Sequence, residues 1–312
     1  IYYLTLNYVS FLITSCTLGP WKLRGKLFDV VFVNQLSPVT MALPGILIAK
    51  IKKIPLALWV LDLWPENLRA TGVNSKLILI FFESLVSFIY NRSDIIFAQS
   101  KSFIPIIKNN LRKRIRVDFM PSWAEKIFGS NVHNNSVIIP QKKCFDIMFA
   151  GNIGEAQDFP CILATAEKLK NYKSIRWIII GEGRMKHWLE NQIQERGLTE
   201  QFLILGNFPL EQMPSFYKKA DAMLVTLQNN VSYNMTIPGK FQSYLAAGKP
   251  IIAALNGETA QLIKKHKIGY VCKSGNANEL ANLIIKLKLL SRKEKEVMSQ
   301  NSKILYENMF NR

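Results

Sequence analysis

The sequence predicts an α/β protein built as two doubly wound, parallel-sheet domains in tandem with a cleft between them, and three observations carry that prediction. Short apolar runs that end in small or polar residues alternate with helix-length segments along the chain. The alternation is broken by the polar stretch Ser130 to Asn135 and by Pro140-Gln141-Lys142-Lys143, and then restarts. Finally, Ile251 to Leu255 is a continuous apolar run between the turn formers Gly248-Lys249-Pro250 and Asn256-Gly257, the pattern of a strand buried on both faces. The 312 residues suit two domains, each with its own core, expected at 1–140 and 141–312.

In chain order, the first 18 residues are apolar but include Asn7, Ser10 and Thr14, with no basic leader and no small-residue cleavage site. They read as an interior helix exposed by truncation rather than a signal peptide. Strands are expected over Phe28 to Asn34, Pro55 to Leu61, Asp94 to Gln99 and Arg116 to Met120, with helices over Thr40 to Lys52, Ser75 to Tyr90 and Ser102 to Leu111. The second domain repeats the rhythm. Its strands are expected at Cys144 to Ala150, Ser174 to Ile180, Phe202 to Leu205, Asp221 to Thr226, Ile251 to Leu255 and Gly269 to Cys272. Helices fall at Ala156 to Asn171, Arg184 to Arg196, Leu210 to Lys219, Asn276 to Leu290 and Arg292 to Asn308, with one more opening at Pro238.

One helix is unusual. Leu77-Ile78-Leu79-Ile80-Phe81-Phe82 is apolar on every face and is flanked by Lys76 and Arg92. The segment is too short for a span of roughly 20 residues. It is either a buried core helix or an interfacial one whose basic ends meet anionic headgroups.

A net charge of +18 favours anionic partners: phosphorylated substrates, anionic lipid or nucleic acid. The basic residues are scattered, with no aromatic-basic platform for single strands, so no nucleic-acid partner is expected. Cys16, Cys144, Cys161 and Cys272 form no C-x-x-C pair, and His133, His187 and His266 have no metal-type spacing. A reducing, cytoplasmic setting and no metal are the expectation.

The most informative run is IPGKFQSYLAAGKPIIAALNGE, Ile237 to Glu258. Pro238 suits a helix's first turn and Gly248 the left-handed position that ends one. Lys240 then sits on the opening turn, where unpaired N–H groups and the dipole already favour an anion, and a diphosphate is the natural guest. Glu258 follows the next strand at its carboxyl end, where ligands of open α/β sheets bind, and can accept hydrogen bonds from ribose or sugar hydroxyls. The same run also fits a plain helix start with a solvated lysine and a capping glutamate.

Asp62-Leu63-Trp64-Pro65-Glu66 follows directly on an expected strand. Either carboxylate could deprotonate an acceptor hydroxyl, with Trp64 raising its pKa, or the pair is a structural Asp with a helix-start Glu. Three glycine turns close successive strands of the second domain: Gly151-Asn152-Ile153-Gly154, Gly181-Glu182-Gly183 and Gly206-Asn207-Phe208. Lacking Cβ atoms, they would let backbone N–H groups approach a base and phosphates.

With these pieces in place the chain resembles a retaining glycosyltransferase of the GT-B fold in the glycosyltransferase 4 family, nearest to the WbuB-like L-fucosaminyltransferase group of O-antigen and capsule assembly. The resemblance is carried by DLWPE (Asp62 to Glu66), FAGNIGEAQDF (Phe149 to Phe159), IIGEG (Ile179 to Gly183) and IPGKFQSYLAAGKPIIAALNGE (Ile237 to Glu258). It implies a UDP-sugar donor and a polyprenyl-diphosphate-linked acceptor at the inner, anionic face of the cell membrane, and no metal. It implies that Lys240 contacts the donor diphosphate, that Gly257 and Glu258 meet the sugar or ribose, and that the three glycine turns hold the nucleotide. Asp62 and Glu66 fall on the acceptor side. The family usually carries Glu where Ser243 stands, His where Leu61 stands, and Arg and Lys in the loop of Asn152 and Gln157. It further implies a preceding segment with a glycine-rich loop, so that the first domain here is incomplete and the last helix stops early.

The leading expectation is therefore transfer of an N-acetylated hexosamine or deoxyhexosamine from UDP to a lipid-linked oligosaccharide. A UDP-sugar 2-epimerase of the same architecture, an inactive nucleotide-binding fragment and a nucleic-acid binder are the alternatives.

Overall fold

Two parallel sheets organise the computed structural model, which describes residues 2–70, 72–128, 139–140 and 143–311. The expected linker Ser130 to Asn135, with His133, lies outside the described residues, as do Gln141 and Lys142. The chain divides into units 1–121 and 122–312, so the division falls after Pro121, ahead of the expected boundary at residue 140.

The first unit opens with α1 (Tyr2–Lys22) and continues through β1 (Val31–Gln35), α2 (Ala42–Lys52), β2 (Leu56–Val60), α3 (Glu66–Ala70), α4 (Lys76–Arg92), β3 (Ile95–Ala98), α5 (Phe103–Asn109) and β4 (Arg116–Phe119). Its four strands are parallel in the sequential order β1-β2-β3-β4. β2 is buried along its whole length, as a central parallel strand must be. The helix α1 exposes Leu6, Phe11 and Ile13. In α4 the buried residues Val86, Ile89 and Tyr90 lie in the second half, and from the first half Phe82 meets Trp64 at 5.0 Å. The first half is not a core helix: Leu77 is 81% and Phe81 61% exposed.

The second unit contains β5 (Phe145–Ala150), α6 (Phe159–Lys168), β6 (Ile175–Ile180), α7 (Lys186–Glu195), β7 (Phe202–Gly206), α8 (Met213–Lys219), β8 (Ala222–Thr226), α9 (Val231–Met235), α10 (Gly239–Ala246), β9 (Ile251–Ala254), α11 (Gly257–His266), β10 (Gly269–Cys272), α12 (Ala277–Leu289) and α13 (Arg292–Met309). Its six parallel strands lie in the order β10-β9-β8-β5-β6-β7. From β5 the chain winds outward through β6 and β7, then returns to the other side of β5 and winds outward again. That reversal opens a crevice at the carboxyl ends of β5 and β8, the place where doubly wound sheets bind ligands.

Apolar burial holds this unit together. Strands β5, β6, β8 and β9 are buried throughout, and Trp177 stacks on Phe202 at 5.8 Å while Phe149 meets Phe159 edge-on at 5.0 Å. At the amino ends of the strands, away from the crevice, Arg176 donates to both Asp146 carboxylate oxygens at 2.7 Å and to the Pro140 carbonyl. Such a pair, buried and fully hydrogen-bonded, fixes the β5–β6 register rather than adding much net stability.

Candidate functional site

The lysine singled out by the sequence stands at that crevice. Helix α10 begins at Gly239 with Pro238 as its N-cap, and Gly248 follows its C-cap at φ +63°. The expected punctuation is thus present, with proline one position earlier than a first-turn residue. The helix is pinned to the end of β5 by Tyr244, whose hydroxyl accepts from the Ala150 N–H at 2.8 Å and donates to the Ala150 carbonyl at 3.0 Å. Both buried backbone groups of one residue are thereby satisfied by a single side chain from the neighbouring helix.

Lys240 points back over the same strand end. Its Nζ donates to the Gln157 side-chain carbonyl at 2.5 Å and lies 3.6 Å from the centre of the Phe149 ring. A Cβ added to Gly151 would sit 3.4 Å from it. Gln157 belongs to a turn anchored across the crevice, since the Gln157 carbonyl accepts from Thr226 Oγ1 at 2.5 Å and the Ala156 carbonyl from the Gln228 N–H at 2.9 Å. The residue as a whole is half-buried, but its ammonium is walled in by an aromatic face and an amide, with no carboxylate in salt-bridge contact among the described residues. Burial therefore holds its pKa well below the ordinary lysine range. A cation so placed is poised for an anion.

One cavity of ≈ 480 Å³ brings most of the expected donor residues together: Gly151, Asn152, Gly181, Asn207, Phe208, Lys240 and Ser243. They come from the ends of β5, β6 and β7 and from α10. Three of the other lining residues lie outside the motifs that the sequence singled out. Glu125 and Phe128 come from the segment assigned to the first domain and linker, and Tyr217 comes from α8. Phe128 stacks on Tyr217 at 5.4 Å, nearly parallel, and Tyr217 meets Tyr244 edge-on at 5.4 Å. The only sequence signal for Phe128 is a lone aromatic just ahead of a polar run.

Two backbone donors of the glycine turns are already engaged within the protein. The Gly151 N–H already donates to the Ile180 carbonyl at 2.9 Å, and the Gly181 N–H to the Gly206 carbonyl at 2.7 Å. These two donors knit adjacent loops together and are not free for phosphate. Gly181, at φ +137°, is glycine because a Cβ there would come within 2.0 Å of the Gly151 carbonyl oxygen. Gly154, Gly183 and Gly206 shape the turns behind the rim and do not line the cavity. In the first turn of α10 the backbone N–H groups of Gly239 and Lys240, like those of any helix start, donate to no backbone carbonyl among the described residues.

Gly257 and Glu258 stand apart. They open α11, and Gly257 lines a separate cavity of ≈ 240 Å³ with Asn256, Gln261, Lys264 and Lys273. Glu258 is buried and lines neither cavity. In the first unit, Asp62 Oδ2 accepts from Ser37 Oγ at 2.7 Å, and Ser37 in turn accepts from Trp64 Nε1 at 3.1 Å. Glu66 opens α3 and pairs with Arg69 at 3.5 Å. The two carboxylates are thus each held by different neighbours. Among the described residues no group of three or more His, Cys, Asp or Glu side chains is arranged to hold a metal ion, and no helix is long and apolar enough to cross a membrane.

A reversed parallel sheet with a cavity at its switch point, lined by Lys240 and by the carboxylates of Glu125 and Glu182, has the architecture in which doubly wound α/β units bind their ligands. Residues 134–304 match the family model of the glycosyl transferases group 1, and the chain belongs to that family. It is 31% identical over 140 residues to WcaI of Escherichia coli, named for a glycosyl transferase role in colanic acid biosynthesis; the match covers 42% of this chain and 33% of WcaI. Among solved structures, Alr3699/HepE of Anabaena in complex with UDP aligns with a TM-score of 0.73 at 14% identity, over 91% of this chain and 75% of that one. Sucrose-phosphate synthase of Thermosynechococcus elongatus aligns with a TM-score of 0.77 at 13% identity, over 96% and 75%. The two structural likenesses bear out the fold expected from the alternation of strands and helices.

Proposed function

We propose that the protein is a retaining glycosyltransferase that moves an N-acetylated hexosamine or deoxyhexosamine from a UDP donor to a lipid-linked oligosaccharide, in the assembly of a bacterial surface polysaccharide such as O-antigen or capsule. The observation that carries the reading is Lys240, a walled-in lysine at the sheet's switch point with no salt-bridge partner among the described residues. As the glycosidic bond to the donor phosphate breaks, negative charge grows on the leaving diphosphate. Lys240 and the open N–H groups of α10's first turn neutralise it, so the reaction needs no metal. The HepE complex, with UDP in a protein of the same fold, supports the choice of nucleotide, and the likeness to WcaI supports the polysaccharide setting.

In this reading Asn152, Asn207 and Phe208 receive the nucleoside, Asp62 or Glu66 serves the acceptor hydroxyl, and Glu258 acts on the donor through α11. The acceptor's polyprenyl tail places the protein at the cytoplasmic face of a membrane. Helix α4 supports this: Leu77, Ile80, Phe81 and Phe88 form an exposed apolar stripe between Lys76 and Arg92. Arg92 lies over the Phe88 ring at 5.0 Å, and Asn91 ties the helix end to the basic run Arg112 to Arg116. A screen of UDP-sugars with a polyprenyl-diphosphate acceptor, read by mass spectrometry, tests the proposal. Transfer of one sugar with release of UDP supports it; consumption of no UDP-sugar, or isomerisation of the sugar without transfer, contradicts it.

A further inference from the structure

We propose that Glu125 and Tyr217 complete, with Ser243, a hydrogen-bonding set for the vicinal hydroxyls of the donor's ribose, and that Glu125 is the residue that makes the cavity select ribose. The inference rests on the donor-site reading above and extends it to residues outside every recognised motif of the chain.

A vicinal diol entering a cavity brings two O–H donors that need acceptors once water is displaced. Ser243 cannot supply them alone. Its Oγ donates to the Lys240 carbonyl at 2.9 Å and takes part in a hydrogen bond with Tyr217, leaving it a single lone pair. Two carboxylates line the cavity, Glu125 and Glu182. Glu182 is engaged by Lys186 at 2.6 Å. Glu125 makes no salt bridge among the described residues.

Glu125 is exposed, and it is the backbone beneath its side chain that is held in place. Its neighbours Ala124 and Phe128 are buried, the Phe128 N–H donates to its carbonyl at 3.1 Å, and the Phe128 ring is stacked on Tyr217. The carboxylate's field reaches the hydroxyls of both Tyr217 and Tyr306. Burial pushes the Tyr217 phenol up to about 12, so it stays a neutral donor and acceptor at working pH. Ser243 lies one helical turn from Lys240, on the same face of α10. A ribose against Ser243, Tyr217 and Glu125 would therefore carry its 5′-diphosphate towards the Lys240 ammonium.

Calorimetric titration of the full chain with UDP and with 2′,3′-dideoxy-UDP tests the assignment. The unaltered protein should prefer UDP by roughly tenfold or more, about the worth of one hydrogen bond to a charged group. Glu125→Gln, which keeps the shape, should weaken UDP roughly tenfold and leave the dideoxy compound unchanged, collapsing the ratio. Tyr217→Phe should lower the same ratio and stands in if Glu125→Gln fails to fold. Ratios unchanged in the folded variants overturn the proposal while leaving the UDP site intact. An unaltered protein that binds no UDP overturns the donor-site reading and this inference with it.

Discussion

Replacing Lys240 by methionine separates a binding role from a structural one. Its ammonium donates one hydrogen bond to Gln157, faces the Phe149 ring at 3.6 Å and has no salt-bridge partner among the described residues. An enclosed cation of this kind costs free energy in the empty protein, so Lys240→Met should leave the stability unchanged or raise it by about 1 kcal/mol. With UDP bound, the ammonium gains a charged acceptor. Losing that contact should cost about 2–3 kcal/mol, roughly 30- to 150-fold in UDP affinity. Lys249 is the control, because its Nζ caps the Lys218 and Ala220 carbonyls at 2.7 Å each. Lys249→Met should therefore lower stability and leave UDP affinity nearly unchanged. Calorimetry for affinity and urea unfolding for stability read both variants. Equal losses of UDP affinity in the two, or a marked loss of stability in Lys240→Met, would refute the reasoning.

The depressed pKa of Lys240 has a sign that can be measured. In the empty protein the group loses its proton below the ordinary lysine range, and a bound diphosphate favours the ammonium; UDP binding should then take up a proton and weaken as pH rises through that window. Above about pH 8, where a phosphate of second pKa about 6 is fully ionised, titrations in buffers of different ionisation enthalpy should show this uptake, and Lys240→Met should abolish it. Tyr244→Phe strands the Ala150 N–H and carbonyl and should cost about 2–3 kcal/mol in urea unfolding, with no loss there arguing against the α10 anchor. Gly181→Ala drives a methyl into the Gly151 carbonyl and should cost more than about 2 kcal/mol. Leu77→Ser with Phe81→Ser removes two exposed apolar side chains from α4 and should weaken binding to anionic vesicles at least about tenfold; undiminished sedimentation with vesicles would remove α4 from the membrane reading.

How much of this was legible in the residues follows from how local each signal is. Strands buried on both faces announce themselves, and β10 occupies the expected Gly269–Cys272. The helix carrying Lys240 was readable from Pro238 and Gly248, because caps are local chemistry. Two five-residue helices, α3 and α9, were not, since one turn carries too little periodicity to register. Glu125 and Phe128 were misplaced with the first domain because a polar run looks like a boundary, whereas the division follows Pro121 and the segment after it packs on Tyr217.

The glycine turns stand at the expected strand ends, and two of their N–H groups are engaged by neighbouring loops. Their spacing signals close backbone approach, and nothing in the sequence tells whether the approaching group is a ligand or the next loop; at Gly151 and Gly181 it is the next loop. For Glu258 the strand end was located correctly, yet the side chain's direction depends on Gly257, whose backbone lies so close to the Asn234 carbonyl that an added Cβ would come within 1.7 Å of it. That contact between α11 and α9 is set by tertiary packing.

The central claim is that the cavity beside α10 holds the diphosphate of a sugar nucleotide. A crystal structure of the protein with UDP tests it most directly. The account predicts the diphosphate within hydrogen-bond reach of Lys240 Nζ and of the first N–H groups of α10, with the nucleoside beside Asn207 and Phe208. UDP bound elsewhere, or bound there with its diphosphate turned away from Lys240, would contradict it.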